Sequence, residues 1–212
     1  MKEINLEGIS WLTFIDGSKE WYCGRTLPAG DLYEAEELAA DNRLVSGDAL
    51  KLVHWPDGTV YAPLDRQSGV CFGNAVYQDG TIYILSVDFP GRIIRIHAFD
   101  CSVNTVRPAA EIPLDSIEDC YNLCLLSSPV TLCRSGKDNR VDLIWPERSS
   151  FTVDSHESLF LREGDRLYFN RWSEDPDYRE ETIVRDVRTG EIMEQLPGDV
   201  RVMPDGSLWH IC

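Results

Sequence analysis

The sequence has no long apolar run: no window approaches the roughly 18 consecutive apolar residues that a membrane-spanning helix requires. It also contains no G-x-x-x-x-G-K-S/T, G-x-G-x-x-G or G-x-S-x-G motif, which excludes the usual phosphate-binding loops and the nucleophile elbow of hydrolases. The first seven residues lack the apolar run of a signal peptide. A cytoplasmic location is therefore expected.

Positive charge is scarce. Twenty lysine and arginine residues stand against 36 aspartate and glutamate residues, which gives a formal net charge of −16. Such a chain repels phosphate backbones and anionic lipids, so neither nucleic acid nor a membrane is an expected partner. A cationic or neutral partner fits better, whether a protein, a small molecule or a glycan, although acidity also serves solubility by itself.

Paired metal-ligand motifs are absent as well. The four histidines share no H-x-H or H-x-x-x-H spacing, and the seven cysteines include no C-x-x-C pair. An odd number of cysteines suits reduced thiols better than a disulfide framework. Cys120, Cys124 and Cys133 would form a soft-metal site only if the next strand returned beside the first two. The sequence predicts no metal and no cofactor.

Short stretches of alternating apolar residues, rich in Val, Ile, Tyr, Phe and Trp, recur along the whole chain. Turn signals separate them, which is typical of antiparallel hairpins. Two hairpin types alternate. The inner type occurs five times, with turns at residues 16–17, 79–80, 127–129, 163–164 and 205–206. The outer type occurs four times, with turns at residues 55–58, 100–104, 145–148 and 186–190.

The alternation predicts an all-β fold made of repeated four-stranded units. The units cover residues 9–66, 73–115, 121–154 and 157–197, and a last hairpin covers residues 198–212. Five units give about 42 residues each, the spacing of β-propeller blades. We therefore predict a single domain, a small propeller of about five blades, in which residues 2–6 add an outer strand to the last blade. An open stack, a sandwich, or an oligomer formed through that last edge are the alternatives.

The first unit carries an insertion with helical periodicity at residues 31–41. Asp31 stands in the N-cap position and Glu34 follows three residues later, which is the spacing of a capping box. Leu32, Ala35 and Leu38 recur at helical spacing. The insertion predicts one short helix.

The fourth outer turn carries Asp186, Thr189 and Gly190 in the pattern D-x-x-T-G. This turn resembles the outer turn of many β-propeller repeat families. The resemblance is at the level of the fold and identifies no specific family, because the Gly-His and Trp-Asp signatures of WD repeats are missing. Fold alone does not give a function.

In a propeller, the connections between successive blades lie on the same face as the connections between the second and third strands of each blade. Ligands commonly bind on that face. On that face the sequence places carboxylates, arginines and one tryptophan at a loop edge. Aromatic faces stack on ligands as well as packing between sheets. The predicted ligand-binding residues are Asp88, Arg92, Asp115, Asp154, His156, Arg171, Trp172 and Asp175.

These residues suit a binding or scaffold protein that uses its loop face, and the sequence favours this over an enzyme. The alternative is a glycan-acting hydrolase or phosphorylase, in which loop carboxylates such as Asp88, Asp115 and Asp154 would act as general acid and base. Known five-bladed glycosidases resemble that arrangement. No motif of those enzymes is found in this sequence, so no catalytic residue is assigned.

Overall fold

The computed structural model describes residues 2–43, 46–174, 177–203 and 207–212. The described residues form antiparallel sheets and one α-helix, so the all-β prediction is confirmed. The chain divides into two compact units, residues 1–125 (unit 1) and residues 126–212 (unit 2). The assignment of all 212 residues to a single domain stays a prediction.

Unit 1 contains two four-stranded sheets, each ordered as the strands follow in the chain. A short 3-10 turn at Leu114–Ser116 follows the second sheet. The elements of the first sheet are β1 (Thr13–Phe14), β2 (Trp21–Arg25), α1 (Leu32–Ala40), β3 (Leu50–His54) and β4 (Val60–Tyr61). The second sheet is built from β5 (Val70–Gln78), β6 (Thr81–Asp88), β7 (Ile93–Asp100) and β8 (Thr105–Pro113).

A third four-stranded sheet begins at the boundary between the units, with strand order β12-β11-β10-β9. A fourth follows within unit 2 and a two-stranded sheet ends the chain. The third sheet contains β9 (Cys124–Leu126), β10 (Thr131–Ser135), β11 (Arg140–Trp145) and β12 (Ser149–Thr152). The last two contain β13 (Glu157–Glu163), β14 (Arg166–Ser173), β15 (Arg179–Asp186), β16 (Ile192–Pro197), β17 (Asp199–Val202) and β18 (Leu208–Ile211).

Each unit has its own apolar core, formed by the alternating inward residues of its strands. Ile15, Leu52, Phe72, Ile84 and Phe99 are among the buried residues that pack together in unit 1. In unit 2, the core cluster contains Leu161, Tyr168, Val184 and Val200. The β-branched and aromatic residues among them favour strands because they fit a pleated surface that is half buried.

The repeated four-stranded antiparallel sheet is the blade of a β-propeller fold, which confirms the fold-level resemblance. The predicted number of about five blades is wrong: four sheets have four strands, and β17 and β18 pair only with each other among the described residues. Residues 2–6 form no strand, so the predicted closing strand is also wrong. The N-terminal segment instead lies on the first sheet, where Glu7 pairs with Lys51 at 2.7 Å.

The predicted helix is confirmed as α1. Asp31 is its N-cap, and the side chain of Asp31 accepts a hydrogen bond from the Glu34 backbone N–H at 2.8 Å. The Glu34 side chain in turn accepts from the Asp31 N–H at 2.9 Å, which completes the capping box. Of the apolar residues at helical spacing, Leu32 and Ala35 are buried and Leu38 is half-buried.

The D-x-x-T-G turn joins β15 to β16. The Asp186 carboxylate accepts hydrogen bonds from the backbone N–H groups of Arg188 and Thr189, both at 2.9 Å. Gly190 then adopts a φ of 72°, a left-handed conformation that suits glycine. The motif is therefore a turn stabilised by its own side chain.

Within the described ranges, no helix has the length and hydropathy needed to cross a bilayer. None of the cysteines in the described part of the chain forms a disulfide bond, and Cys23, Cys71, Cys120 and Cys133 are buried. Burial raises the pKa of the Cys23 thiol to about 12. A buried thiol of this kind is unreactive and acts as a small apolar side chain.

Candidate functional site

Four of the eight residues predicted to bind a ligand line one pocket in unit 2. Asp154, His156, Arg171 and Trp172 surround a cavity of about 810 Å³, a size typical of small-ligand sites. We call this cavity the Trp172 pocket. Its other lining residues are Ser155, Ser173, Glu174, Arg179 and Glu181. The fifth residue predicted for this region, Asp175, lies outside the described residues.

The strand register aligns three charged residues across the fourth sheet. Arg171 on β14 stands opposite Glu157 on β13 and opposite Glu181 on β15. Residues directly opposite in antiparallel strands point to the same face, so the three form a row of alternating charge. The Arg171 guanidinium donates to Glu181 from Nη2 at 2.6 Å and from Nε at 3.2 Å. Its Nη1 lies 3.9 Å from Glu157.

Glu157 is held by a second arginine. Its side chain is 0 % exposed and accepts two hydrogen bonds from Arg185, from Nε and Nη2, each at 2.9 Å. Arg185 also donates to the carbonyl of Gly190 at 2.7 Å, and its guanidinium lies 5.9 Å from the centroid of the Phe169 ring. This two-point ion pair is buried, and both oxygens of Glu157 already accept a hydrogen bond from Arg185. Its role is therefore structural.

Asp154 is an exposed carboxylate of the pocket lining. Its side chain is 66 % exposed, and its oxygen lies 3.8 Å from Arg171 Nη1 and 3.7 Å from Arg185 Nη2. Both distances are longer than a hydrogen bond. Because both guanidiniums make their shorter contacts with Glu157 and Glu181, Asp154 retains acceptor capacity toward the cavity.

An aromatic pair forms another side of the Trp172 pocket. Trp172 is 41 % exposed, and its ring meets that of His156 in an edge-type contact with centroids 4.6 Å apart and an interplanar angle of 60°. His156 has a φ of 70°, in the left-handed region that residues other than glycine seldom adopt. Backbone strain of this kind clusters at functional sites.

The lining of the Trp172 pocket is slightly acidic. Three carboxylates (Asp154, Glu174 and Glu181) stand against two arginines (Arg171 and Arg179). Hydrogen bonding from Arg171 lowers the pKa of Glu181 below its ordinary value, against a smaller opposing effect of desolvation. Glu181 therefore stays ionised at neutral pH.

The three predicted residues in unit 1 form ion pairs at the ends of β6, β7 and β8. Asp88 accepts hydrogen bonds from the Gly91 N–H and from Arg95 Nη1, both at 2.8 Å. Desolvation raises the pKa of Asp88, but these two hydrogen bonds outweigh it and the net pKa is lowered. Arg92 forms a two-point ion pair with Asp115, one contact of which joins Nε and Oδ2 at 3.2 Å. Both members of this pair are more than half exposed.

Sequence reasoning missed Glu181 and Arg185, and it left Glu157 unassigned in a loop. All three lie within strands in the structure. One signal was available: charged residues at positions 179, 181 and 185 alternate along β15, so they share one face of the strand. Their pairing with β13 and β14 depends on the register, which the sequence pattern does not specify.

No family model and no curated protein matches this chain. Among solved structures, a europium-containing methanol dehydrogenase is similar over 59 % of this chain, with a TM-score of 0.35 and 12 % identity. A dipeptidyl peptidase 4 from Porphyromonas gingivalis is similar over 73 % of this chain, with a TM-score of 0.39 and 11 % identity. This chain spans 24 % of the length of each. Similarity at this level does not identify a function.

Proposed function

We propose that this protein is a non-catalytic binding module whose ligand occupies the Trp172 pocket. The observation that carries the proposal is the convergence of Asp154, His156, Arg171 and Trp172 on one cavity of about 810 Å³. Concave sites with an aromatic wall and a few convergent polar groups are the usual form of ligand sites. A half-exposed tryptophan at such a site supplies a large, rigid contact surface.

The environments of Glu181 and Glu157 do not suit a general acid, which favours binding over catalysis. A general acid needs a carboxyl group with a raised pKa, which burial in an apolar environment or a neighbouring carboxylate provides. Glu181 has the opposite environment, because Arg171 donates two hydrogen bonds to it and lowers its pKa. Glu157 is buried and saturated by Arg185, so it does not face a substrate.

The second candidate is the glycan-acting hydrolase or phosphorylase. One observation favours it: Asp154 and Glu181 both approach the guanidinium of Arg171, at 3.8 Å and 2.6 Å. Their oxygens are therefore less than about 10 Å apart, a separation compatible with an inverting glycosidase. Because the pKa of Glu181 is lowered, this candidate would need Asp154 to donate the proton to the leaving oxygen and Glu181 to act as the base.

Saturation-transfer NMR with defined probes tests the proposal. The probes are N-acetyl-arginine amide, N-acetyl-lysine amide, glucose, cellobiose and acetate, each added to the wild type and to two variants. We expect at least one probe to receive saturation from the wild type and to lose it in Trp172→Ala. Trp55→Ala is the matched control, because Trp55 is 58 % exposed and lies in the turn between β3 and β4 of unit 1.

Two results would overturn the proposal. The first is that no probe distinguishes Trp172→Ala from the wild type while both proteins remain folded. The second is release of nitrophenol from a panel of 4-nitrophenyl glycosides that disappears in Glu181→Gln. That second result would establish the hydrolase instead.

A further inference from the structure

We infer that the Trp172 pocket selects an organic cation, such as the guanidinium or ammonium group of a basic side chain. The inference rests on the proposed function of the same pocket and adds the chemical class of its ligand. It follows from three features of the site: an exposed indole, carboxylate oxygens with spare acceptor capacity, and guanidiniums that already contact acids of the protein.

The indole is the first feature. Trp172 is 41 % exposed and touches His156 only through an edge-type contact, which covers less of an aromatic face than a parallel stack does. Tryptophan is the best aromatic partner for a cation, because the negative face of its ring attracts positive charge. Carboxylates beside the ring strengthen that attraction, and Asp154, Glu174 and Glu181 all line the same cavity.

The second feature is the position of Asp154. Its exposed carboxylate stands 3.8 Å from Arg171 and 3.7 Å from Arg185, beyond hydrogen-bond distance from both. A guanidinium or ammonium entering the cavity would donate charge-assisted hydrogen bonds to this carboxylate. Such bonds would not require any existing hydrogen bond of Arg171 or Arg185 to break.

The third feature disfavours an anion. Arg171 donates from Nη2 and Nε to Glu181, so these two donors reach an anionic ligand only if it displaces that carboxylate and leaves it without its partner. The lining holds one more carboxylate than arginine, and the whole chain carries a net charge of −16. The excess of carboxylates in the lining and the negative net charge of the chain both attract a cation and repel an anion.

A matched pair of ligands tests the inference by isothermal titration calorimetry. N-acetyl-arginine amide carries a guanidinium, and N-acetyl-citrulline amide has nearly the same shape without the charge. We expect the arginine ligand to bind at least about tenfold more tightly in 50 mM salt, and this preference to shrink in 500 mM salt because screening weakens charge attraction.

Three variants test whether the preference for the arginine ligand arises in the Trp172 pocket. Asp154→Asn alters an exposed carboxylate and is expected to reduce affinity for the arginine ligand about three- to tenfold while leaving the citrulline affinity unchanged. Trp172→Ala should weaken both ligands. Asp165→Asn, which removes a similarly exposed acid of unit 2 that does not line the pocket, serves as the control and should change neither affinity.

The outcomes separate the inference from the proposed function. Citrulline or cellobiose that binds as tightly as arginine, with binding lost in Trp172→Ala, overturns the cation inference and leaves the binding function standing. If Trp172→Ala leaves the affinity for every ligand unchanged, the cation inference and the proposed binding function are both overturned. A five-residue peptide with one central arginine distinguishes the two sources of the cation: tighter binding than the free amide indicates a protein partner, and equal binding indicates a small molecule.

Discussion

The charged loops of the two units contain the same residue types in different arrangements. In unit 1, Asp88, Arg92 and Asp115 are held in ion pairs near the turn between β6 and β7. The aromatic residue of that turn, Phe89, is only 7 % exposed. In unit 2, Asp154, Arg171 and Trp172 border a cavity, and the aromatic residue is 41 % exposed.

This difference shows that a pattern of charged residues does not by itself identify a ligand-binding site. In unit 1, Asp88 is satisfied by the backbone of its own turn and by Arg95, and Gly91 approaches so closely that a Cβ there would lie 2.5 Å from the Asp88 carboxylate. In unit 2, Trp172 lies on a strand and lines the same cavity as the exposed Asp154. We interpret the first group as a structural turn and the second as a binding pocket.

The largest effect should come from removing a buried charge in unit 2. Glu157→Ala leaves Arg185 buried without its main partner, and breaking a buried ion pair in this way costs about 3–5 kcal/mol in the free energy of unfolding. Asp115→Asn in unit 1 breaks an exposed pair and should cost less than about 1 kcal/mol. Urea denaturation measures both. Equal losses would contradict the distinction between a buried pair and an exposed one.

A smaller effect should follow a change in the turn of unit 1. Gly91→Ala forces the Asp88 carboxylate away from the Gly91 N–H and from Arg95, which should lower the free energy of unfolding by about 1 kcal/mol. Ser155→Ala at the rim of the Trp172 pocket should change it by less than about 0.5 kcal/mol. If Gly91→Ala were as stable as the wild type, Asp88 would not be a structural residue of this turn.

Acid sensitivity should be shared by both regions. Asp88 and Glu181 have folded-state pKa values below the ordinary 3.8 and 4.5, so each adds stability that is present above its ordinary pKa and is lost as the pH falls through the folded value. The chain should therefore lose stability below about pH 4.5, and Asp88→Asn and Glu181→Gln should each flatten that decline. Urea midpoints at pH 3, 4, 5 and 7 give the slopes. If the variants lost stability with falling pH as steeply as the wild type does, these two carboxylates would not contribute to the acid sensitivity.

The smallest effect concerns the left-handed residue in each region, Arg92 with φ 54° and His156 with φ 70°. Asparagine tolerates this conformation better than most residues, so Arg92→Asn and His156→Asn should each leave the free energy of unfolding within about 1 kcal/mol of the wild type. Only His156→Asn removes a ring beside Trp172, so only that variant should alter ligand affinity. Thermal melting and calorimetry together test the pair, and a change of affinity in Arg92→Asn would contradict the account.

Local patterns predicted most of the fold. The hairpins, the capping box at Asp31 and the D-x-x-T-G turn are set by neighbouring residues, and among the described residues each is present where the sequence places it. The predicted turn at residues 205–206 lies outside the described residues. The blade count failed because residues 2–6 were expected to pair at long range with the last hairpin, whereas Glu7 binds Lys51 on the first sheet. Long-range strand pairing leaves no local pattern that the sequence can show.

The lining of the Trp172 pocket was predicted in part. Asp154, His156, Arg171 and Trp172 were selected because they stand at strand ends and loops, where binding residues concentrate, and their role in binding a ligand stays a prediction. Glu157 and Glu181 were not assigned, because their contact with Arg171 depends on a register across three strands. A shift of one residue in that register would point each of these side chains to the other face of the sheet.

The most direct test of the account is the position of the Trp172 indole N–H signal in a two-dimensional ¹H–¹⁵N NMR spectrum during titration with N-acetyl-arginine amide. Loss of one signal in Trp172→Phe assigns it among the six tryptophans. The account predicts that this signal shifts and saturates while the signals of Trp21 and Trp55 in unit 1 stay in place. Saturable shifts in unit 1, with the Trp172 signal unchanged, would contradict it.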